Sequence, residues 1–180
     1  MEQLTTIKEI LKRVIISGYV TNAQPLSTIL IAPAGAGKTA TLKQFYINKN
    51  LLVATDITPY GFAQNFSEIK NKKVTHIIIP DLTQIFSRSD KIVNNTIGFL
   101  NALIEEGIYY IKTFYIELKE EIKLGLITST TTADFFKRRK GWLGIGFLSR
   151  LLPITYQYAT PTAIDILNKI ASTDQIIDNS

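Results

Sequence analysis

The chain has 180 residues, 46% of them hydrophobic and 19% charged, with a formal net charge of +5, a composition that buries a core and excludes wholesale disorder. It has no cysteine, which removes disulfides, thiolate metal sites and cysteine nucleophiles, and its single histidine, His76, leaves little material for a histidine metal cluster or a Ser–His–Asp triad. The positive balance admits an anionic partner such as nucleic acid as readily as it describes an ordinary basic domain.

The N-terminal run "MEQLTTIKEILKRVIISG" carries charges throughout and lacks a small-residue cleavage site, so no secretory signal is expected. No stretch approaches the ~18 uncharged apolar residues of a bilayer span, and a soluble, cytoplasmic chain without membrane contact is expected. Leu4, Ile7, Leu11, Val14 and Ile15 fall at helical spacing and predict an amphipathic helix over 3–17, with Thr6 and Glu9 fitting a capping box. Gly18 and Pro25 make the following stretch a loop. Residues 1–24 thus read as a helix and linker before a core at 25–160.

In the core, apolar strands alternate with helices. "STILIA" is the first strand, followed by a glycine loop and the helical run "KTATLKQFYIN". "NLLVAT" is the second strand, "PYGFAQNFSEIKN" a short helix and "VTHIII" the third strand. Val93, Ile97, Leu100 and Ile104 mark a long helix that Gly107 ends. "IYYIKTFYIELKEE" has the aromatic and β-branched character of a hairpin, "KLGLITST" is the fourth strand, 133–141 a basic helix and "LLPITYQYA" the fifth strand. Thr160 and Pro161 open a C-terminal helix within 161–180, with a frayed end. The alternation predicts an α/β fold with a mainly parallel five-stranded sheet in a three-layer α/β/α arrangement, and ligands outside the carboxyl ends of its strands; the glycine loop makes the expected class a P-loop NTPase.

The loop after the first strand, Ala32 to Thr39, matches the phosphate-loop pattern except for Ala32 in place of the first glycine. Gly35 and Gly37 let consecutive N–H groups turn inward onto phosphate oxygens, and the following helix adds its positive dipole end. Pro33, Ala34, Gly35, Ala36, Gly37, Lys38, Thr39 and Ala40 are the expected ATP-binding residues, with Lys38 reaching the β- and γ-phosphates and the Thr39 hydroxyl ligating Mg²⁺.

Such a site needs an acid at the end of a neighbouring strand. In "THIIIPDLTQIF", Pro80 lacks a backbone donor and so ends the strand, and Asp81 emerges at its carboxyl edge. With Asp81 on Mg²⁺, the favoured register, Leu82 takes the place where a water-activating glutamate would stand; with Asp81 in that second place, Pro80 replaces the metal acid. One acid of the pair is absent either way. Asp56 is a secondary candidate for it or a cap of the next helix, and His76, inside a buried strand, is structural.

From residue 25 to 160 the chain resembles the AAA+ branch of P-loop ATPases through "APAGAGKT", "IIIPD", "LGLITSTTT" and "GFLSRLLPI". The resemblance implies a polar residue at the end of the fourth strand, called sensor 1, that contacts the γ-phosphate or attacking water; among Ser129, Thr130 and Thr131, the spacing favours Thr130. That segment is similar to one in bacterial Holliday-junction branch-migration motors. The resemblance also makes Arg150 an arginine finger that reaches a neighbouring subunit's site in a homo-oligomeric ring or filament, with Arg138 or Arg139 as alternatives, and makes 108–121 the hairpin that helicase-related members insert. Two departures stand out: the short tail has no arginine to serve as sensor 2 of a helical lid, and no glutamate follows Asp81.

"FFKRRKGW" joins four consecutive cations, Lys137, Arg138, Arg139 and Lys140, to Phe135, Phe136 and Trp142. Cations attract a DNA backbone and aromatics stack on unpaired bases, although a charge run is also the usual solvated helix face. The resulting expectation is an ATP- and Mg²⁺-dependent oligomeric ATPase acting on DNA, or, in another class, a nucleotide-dependent assembly switch with little turnover.

Overall fold

Short runs of Ile, Leu and Val bounded by polar turns become strands buried on both faces when helices cover both sides of a parallel sheet. The computed structural model describes residues 2–108, 111–112, 117–118 and 122–158, and the expected C-terminal helix lies outside them. Five strands, β1 (Thr28–Ala32), β2 (Leu51–Val53), β3 (His76–Ile79), β6 (Gly125–Thr131) and β7 (Leu152–Thr155), form one sheet in the order β2-β3-β6-β1-β7. All four neighbouring pairs are parallel. A separate antiparallel pair, β4 (Ile111–Lys112) and β5 (Glu117–Leu118), with a bridge between Ile108 and Ile122, occupies the expected hairpin segment.

The helices are α1 (Glu2–Ser17), α2 (Lys38–Lys43), α3 (Pro59–Gln64), α4 (Phe66–Asn71), α5 (Thr83–Phe86), α6 (Asp90–Ile104) and α7 (Thr132–Gly144), with a 3₁₀ turn at Leu148–Arg150. Strand periodicity sorts the core into two layers. Ile29, Ile31, Ile77, Ile79 and Leu126 share one cluster with Phe62, Ile85, Leu100, Trp142 and Phe147 of the helical side. Leu30, Ala32, Ile78 and Ile127 face the other way, against Ile7, Leu11, Val14 and Ile15 of α1 and Leu42 of α2. Burying such side chains stabilises by roughly 1.5–3 kcal/mol each, so α1 is part of one sheet layer.

Two local expectations change. α1 starts at Glu2, so Thr6 is inside it rather than at its cap, and Glu9 pairs instead with Lys12 one turn on. The segment after β2 is two helices separated at Asn65, not one. Pro153 is accommodated because β7 is an edge strand, where a missing N–H costs least. Among the described residues, no helix is long and apolar enough to cross a membrane.

Candidate functional site

The register that pairs Ala32 with Thr131 ends β1 and β6 at one level, and the chain leaves both strands there. After β1 comes the glycine loop. Gly35 and Gly37 adopt φ of 74° and 73°, the left-handed region that side-chain-bearing residues avoid. The chain then enters α2 at Lys38. A cavity of about 420 Å³ opens here, lined by the loop from Ala34 to Ala40 together with Asp81, Ser129 and Thr131. Pro33 is outside it and instead lines a neighbouring cavity with Phe135, Phe136 and Tyr156.

Lys38 folds back under the loop, and its Nζ donates to the carbonyls of Ala32 and Pro33, each at 2.9 Å. Burial lowers its pKa below the ordinary lysine value, and the Asp81 carboxylate partly opposes the shift. Asp81 follows β3 through Pro80, and its Oδ1 accepts the Thr83 N–H at 2.9 Å, which fixes the carboxylate at the start of α5. Leu82, where a water-activating acid would stand, is fully buried in the apolar core, and its N–H donates to Ser129 O.

Alternation along β6 divides its three terminal hydroxyls. Ser129 and Thr131 line the cavity, whereas Thr130, the favoured sensor residue, does not. Its hydroxyl is buried without a hydrogen-bond partner among the described residues, between residues that face the other layer. The Ser129 hydroxyl donates to Pro80 O. Thr131 caps α7: its hydroxyl accepts the Asp134 N–H at 3.1 Å and donates to Asp134 Oδ2 at 2.7 Å.

A further element supports the loop from the far side. Tyr156, just beyond β7, is buried beside Ala36 and donates its phenolic hydrogen to Ala36 O at 3.0 Å. Burial, with a smaller contribution from Tyr158, raises its pKa, so it remains a donor. The Tyr158 hydroxyl approaches Gly37, 3.5 Å from where a Cβ would stand.

The remaining candidates are elsewhere. Arg150 precedes β7, at the amino edge of the sheet and a strand's length of roughly 15 Å from the glycine loop. It pairs with Glu105 and donates to Gly146 O. Asp56, beyond β2, pairs with Arg88 and leaves Oδ1 buried and unpartnered. It lines its own cavity of about 320 Å³ with Phe62 and Asn65, and Thr58 rather than Asp56 caps α3. His76 is fully buried in β3, with Nε2 3.0 Å from Leu26 O, and burial lowers its pKa to about 4. On α7, Lys137, Arg139 and Lys140 are exposed, but Arg138 lies over the Phe86 ring and donates to Phe86 O at 3.1 Å. Trp142 is core, packed on Phe86 with ring centroids 4.9 Å apart, so it is closed to base stacking; Phe136 is 57% exposed.

The donor set around the loop cavity is all oxygen on one side, with Asp81 and Thr39 as the candidate ligands, which fits a hard divalent cation such as Mg²⁺. No group of three or more His, Cys, Asp and Glu that could hold a metal gathers among the described residues, and Mg²⁺ ordinarily relies on one or two carboxylates, substrate phosphates and water. Asp134 and Tyr156 support the site without a sequence motif that names them, whereas Ser129 is one of the three hydroxyls offered by the strand end; for Thr131 with Asp134 three residues on, the readable signal is a capping box. In comparisons with known proteins, the chain matches no family model and no curated protein.

Proposed function

We propose that the protein is an AAA+-like P-loop ATPase that binds ATP with Mg²⁺ in the glycine-loop cavity and hydrolyses it, as a homo-oligomer acting on DNA. The observation that carries this reading is that one cavity is lined both by the glycine loop with Lys38 and by Asp81 from beyond another strand. The loop is suited to phosphate oxygens because its glycines turn donors inward. Lys38, held by two carbonyls, would exchange them for β- and γ-phosphate oxygens. Mg²⁺ on Asp81 and Thr39 would neutralise charge on the phosphates.

Arg150 is too far from the loop of its own chain, so its proposed role belongs to a second copy. A guanidinium suits it, being permanently charged and able to bind phosphate oxygens through two donors. Lys137, Arg139 and Lys140, exposed along α7 beside Phe136, support the DNA reading.

A titration with a fluorescent ATP analogue and a turnover assay, each on wild type and Lys38→Ala, tests the reading. Saturable Mg²⁺-dependent binding, with Lys38→Ala weaker by at least about tenfold, is expected; equal binding by both proteins refutes it. The second reading, an assembly switch, is favoured by one observation, the burial of Leu82 where an acid would stand. ATP-dependent change in mass without turnover selects it.

A further inference from the structure

Two hydroxyls of β6 line the loop cavity, and neither has a proton left for a ligand. That of Ser129 is donated to Pro80 O, and that of Thr131 to Asp134 Oδ2 at 2.7 Å. A hydroxyl has one donor and two acceptor sites. Thr131 spends one acceptor site on the Asp134 N–H at 3.1 Å, so one lone pair remains. With the Asp81 carboxylate, this wall offers acceptors alone. The complement of such a wall is a cation or a donor: the Asp81 carboxylate suits the Mg²⁺ proposed above, and the lone pair left on Thr131 suits a donor, which Mg²⁺-bound ATP phosphate oxygens are not and water is. The opposite wall, Lys38 and the loop N–H groups, offers the donors that phosphate oxygens need.

Behind Thr131 stands Asp134, on the first turn of α7. Its Oδ2 also accepts from the Thr83 hydroxyl at 3.3 Å, and the Thr83 N–H holds Asp81 Oδ1 at 2.9 Å. Two carboxylates are therefore joined through one residue, and the second comes from a different element than the one where sequence order would put it.

We propose that Thr131 holds the attacking water in this cavity and relays its proton to Asp134, which takes the place of the acid missing after Asp81. The inference rests on the ATPase reading above. As the water oxygen bonds to the γ-phosphorus, the bond from phosphorus to the β–γ bridging oxygen breaks, and its electron pair leaves with ADP. The water proton passes to Thr131 Oγ1 while the Thr131 hydroxyl proton passes to Asp134 Oδ2; it then returns to solvent. Asp134 acts through Thr131 and is a positioning residue as well as the end of the proton path. A capping box alone would explain the Thr131–Asp134 pair, but not the place of Thr131 in the cavity wall or the link of Asp134 through Thr83 to Asp81.

The test uses Asp134→Asn, which keeps the shape and an acceptor for the cap, together with Thr131→Val and Thr131→Ser. Each is measured for Mg²⁺-dependent binding of a fluorescent ATP analogue, single-turnover hydrolysis and melting temperature. Asp134→Asn and Thr131→Val are expected to bind within about threefold of wild type while hydrolysis falls roughly 10²- to 10⁴-fold, the usual worth of general acid–base catalysis. Thr131→Ser restores most of the rate. Hydrolysis by Asp134→Asn or Thr131→Val within a few-fold of wild type overturns the inference, whatever their melting temperatures. Wild type that binds without turnover overturns it and leaves the binding site standing; wild type that binds no ATP analogue overturns both.

Discussion

Tyr156 donates to the carbonyl of Ala36 at 3.0 Å, joining the chain just past the edge strand to the middle of the glycine loop. Among the described residues the loop's other hydrogen bonds are short-range, so this bond and the packing of Tyr156 tie it to the sheet. Tyr156→Phe keeps the ring and leaves the Ala36 carbonyl without its donor, at a cost of about 1–3 kcal/mol if the group stays buried. A lower melting temperature and several-fold weaker binding of an ATP analogue are expected. An unchanged melting temperature would mean that water replaces the phenol and the tie is dispensable.

The contrast between this tie and the loop shows what sequence can supply. Gly35, Gly37, Lys38 and Thr39 fall within five consecutive residues, and the role proposed for them follows from local backbone geometry. Asp81 is legible because a proline after three isoleucines marks a strand end. Ala36 and Tyr156 are 120 residues apart, and nothing local to either announces the other. The choice among Ser129, Thr130 and Thr131 depends on which way the strand faces, a one-residue question that reverses every side chain. Trp142 reads as an exposed ring beside cations because α7 has no clean apolar stripe, and only its packing on Phe86 identifies it as core.

Leu82 supplies a second prediction. Writing a glutamate after Asp81 with Leu82→Glu will not add an acid to the proposed site. Leu82 is fully buried in the core cluster, and an unpaired charge there costs roughly 3–5 kcal/mol. Denaturant unfolding is expected to show that loss, with turnover no higher than wild type. A stable variant with faster hydrolysis would show that the side chain at this position can reach the cavity.

His76 makes stability depend on pH. Burial lowers its pKa to about 4 from 6.5, and Nε2 is held at Leu26 O. The unfolded chain then binds the proton that the folded chain refuses, so stability is level above pH 6.5 and falls as pH drops toward 4. The slope approaches about 1.4 kcal/mol per pH unit within that window. His76→Gln, whatever its overall stability, is expected to lack this component between pH 6.5 and 5, above most carboxylate titrations. Parallel urea midpoints for the two proteins across that range would contradict the assignment.

On the basic helix α7 the proposed DNA contact can be tested apart from packing. Phe136 is exposed and Arg139 lies over its ring at 4.9 Å, while Trp142 is buried. Phe136→Ala should weaken binding of single-stranded DNA by about 1–3 kcal/mol, the range for a stacked base, with little change in melting. Trp142→Ala should instead destabilise the fold by about 3–5 kcal/mol. Replacing Lys137, Arg139 and Lys140 by Gln should lower the slope of log K against log salt by nearly one for each phosphate that is no longer neutralised. An unchanged slope would make the run a solvated helix face.

Arg150 poses the question of assembly. It stands at the amino edge of the sheet, paired with Glu105, while the glycine loop is at the carboxyl edge. A contribution to hydrolysis must then come from a second chain, and two defective proteins can repair each other. Lys38→Ala removes the lysine of the proposed loop site but keeps Arg150, whereas Arg150→Ala keeps the loop and lacks the proposed finger. Each alone is expected to hydrolyse ATP at least about 1,000-fold more slowly than wild type, the lower end of the range for losing an arginine finger. Mixed in equal amounts they form interfaces that pair an intact loop with an intact arginine, and activity should recover to a sizeable fraction of wild type, rising with total protein concentration. Arg150→Ala with wild-type turnover at every concentration would remove the finger. Low activity of Arg150→Ala alone with no recovery on mixing would return Arg150 to a structural role through Glu105, which Glu105→Gln would then reproduce.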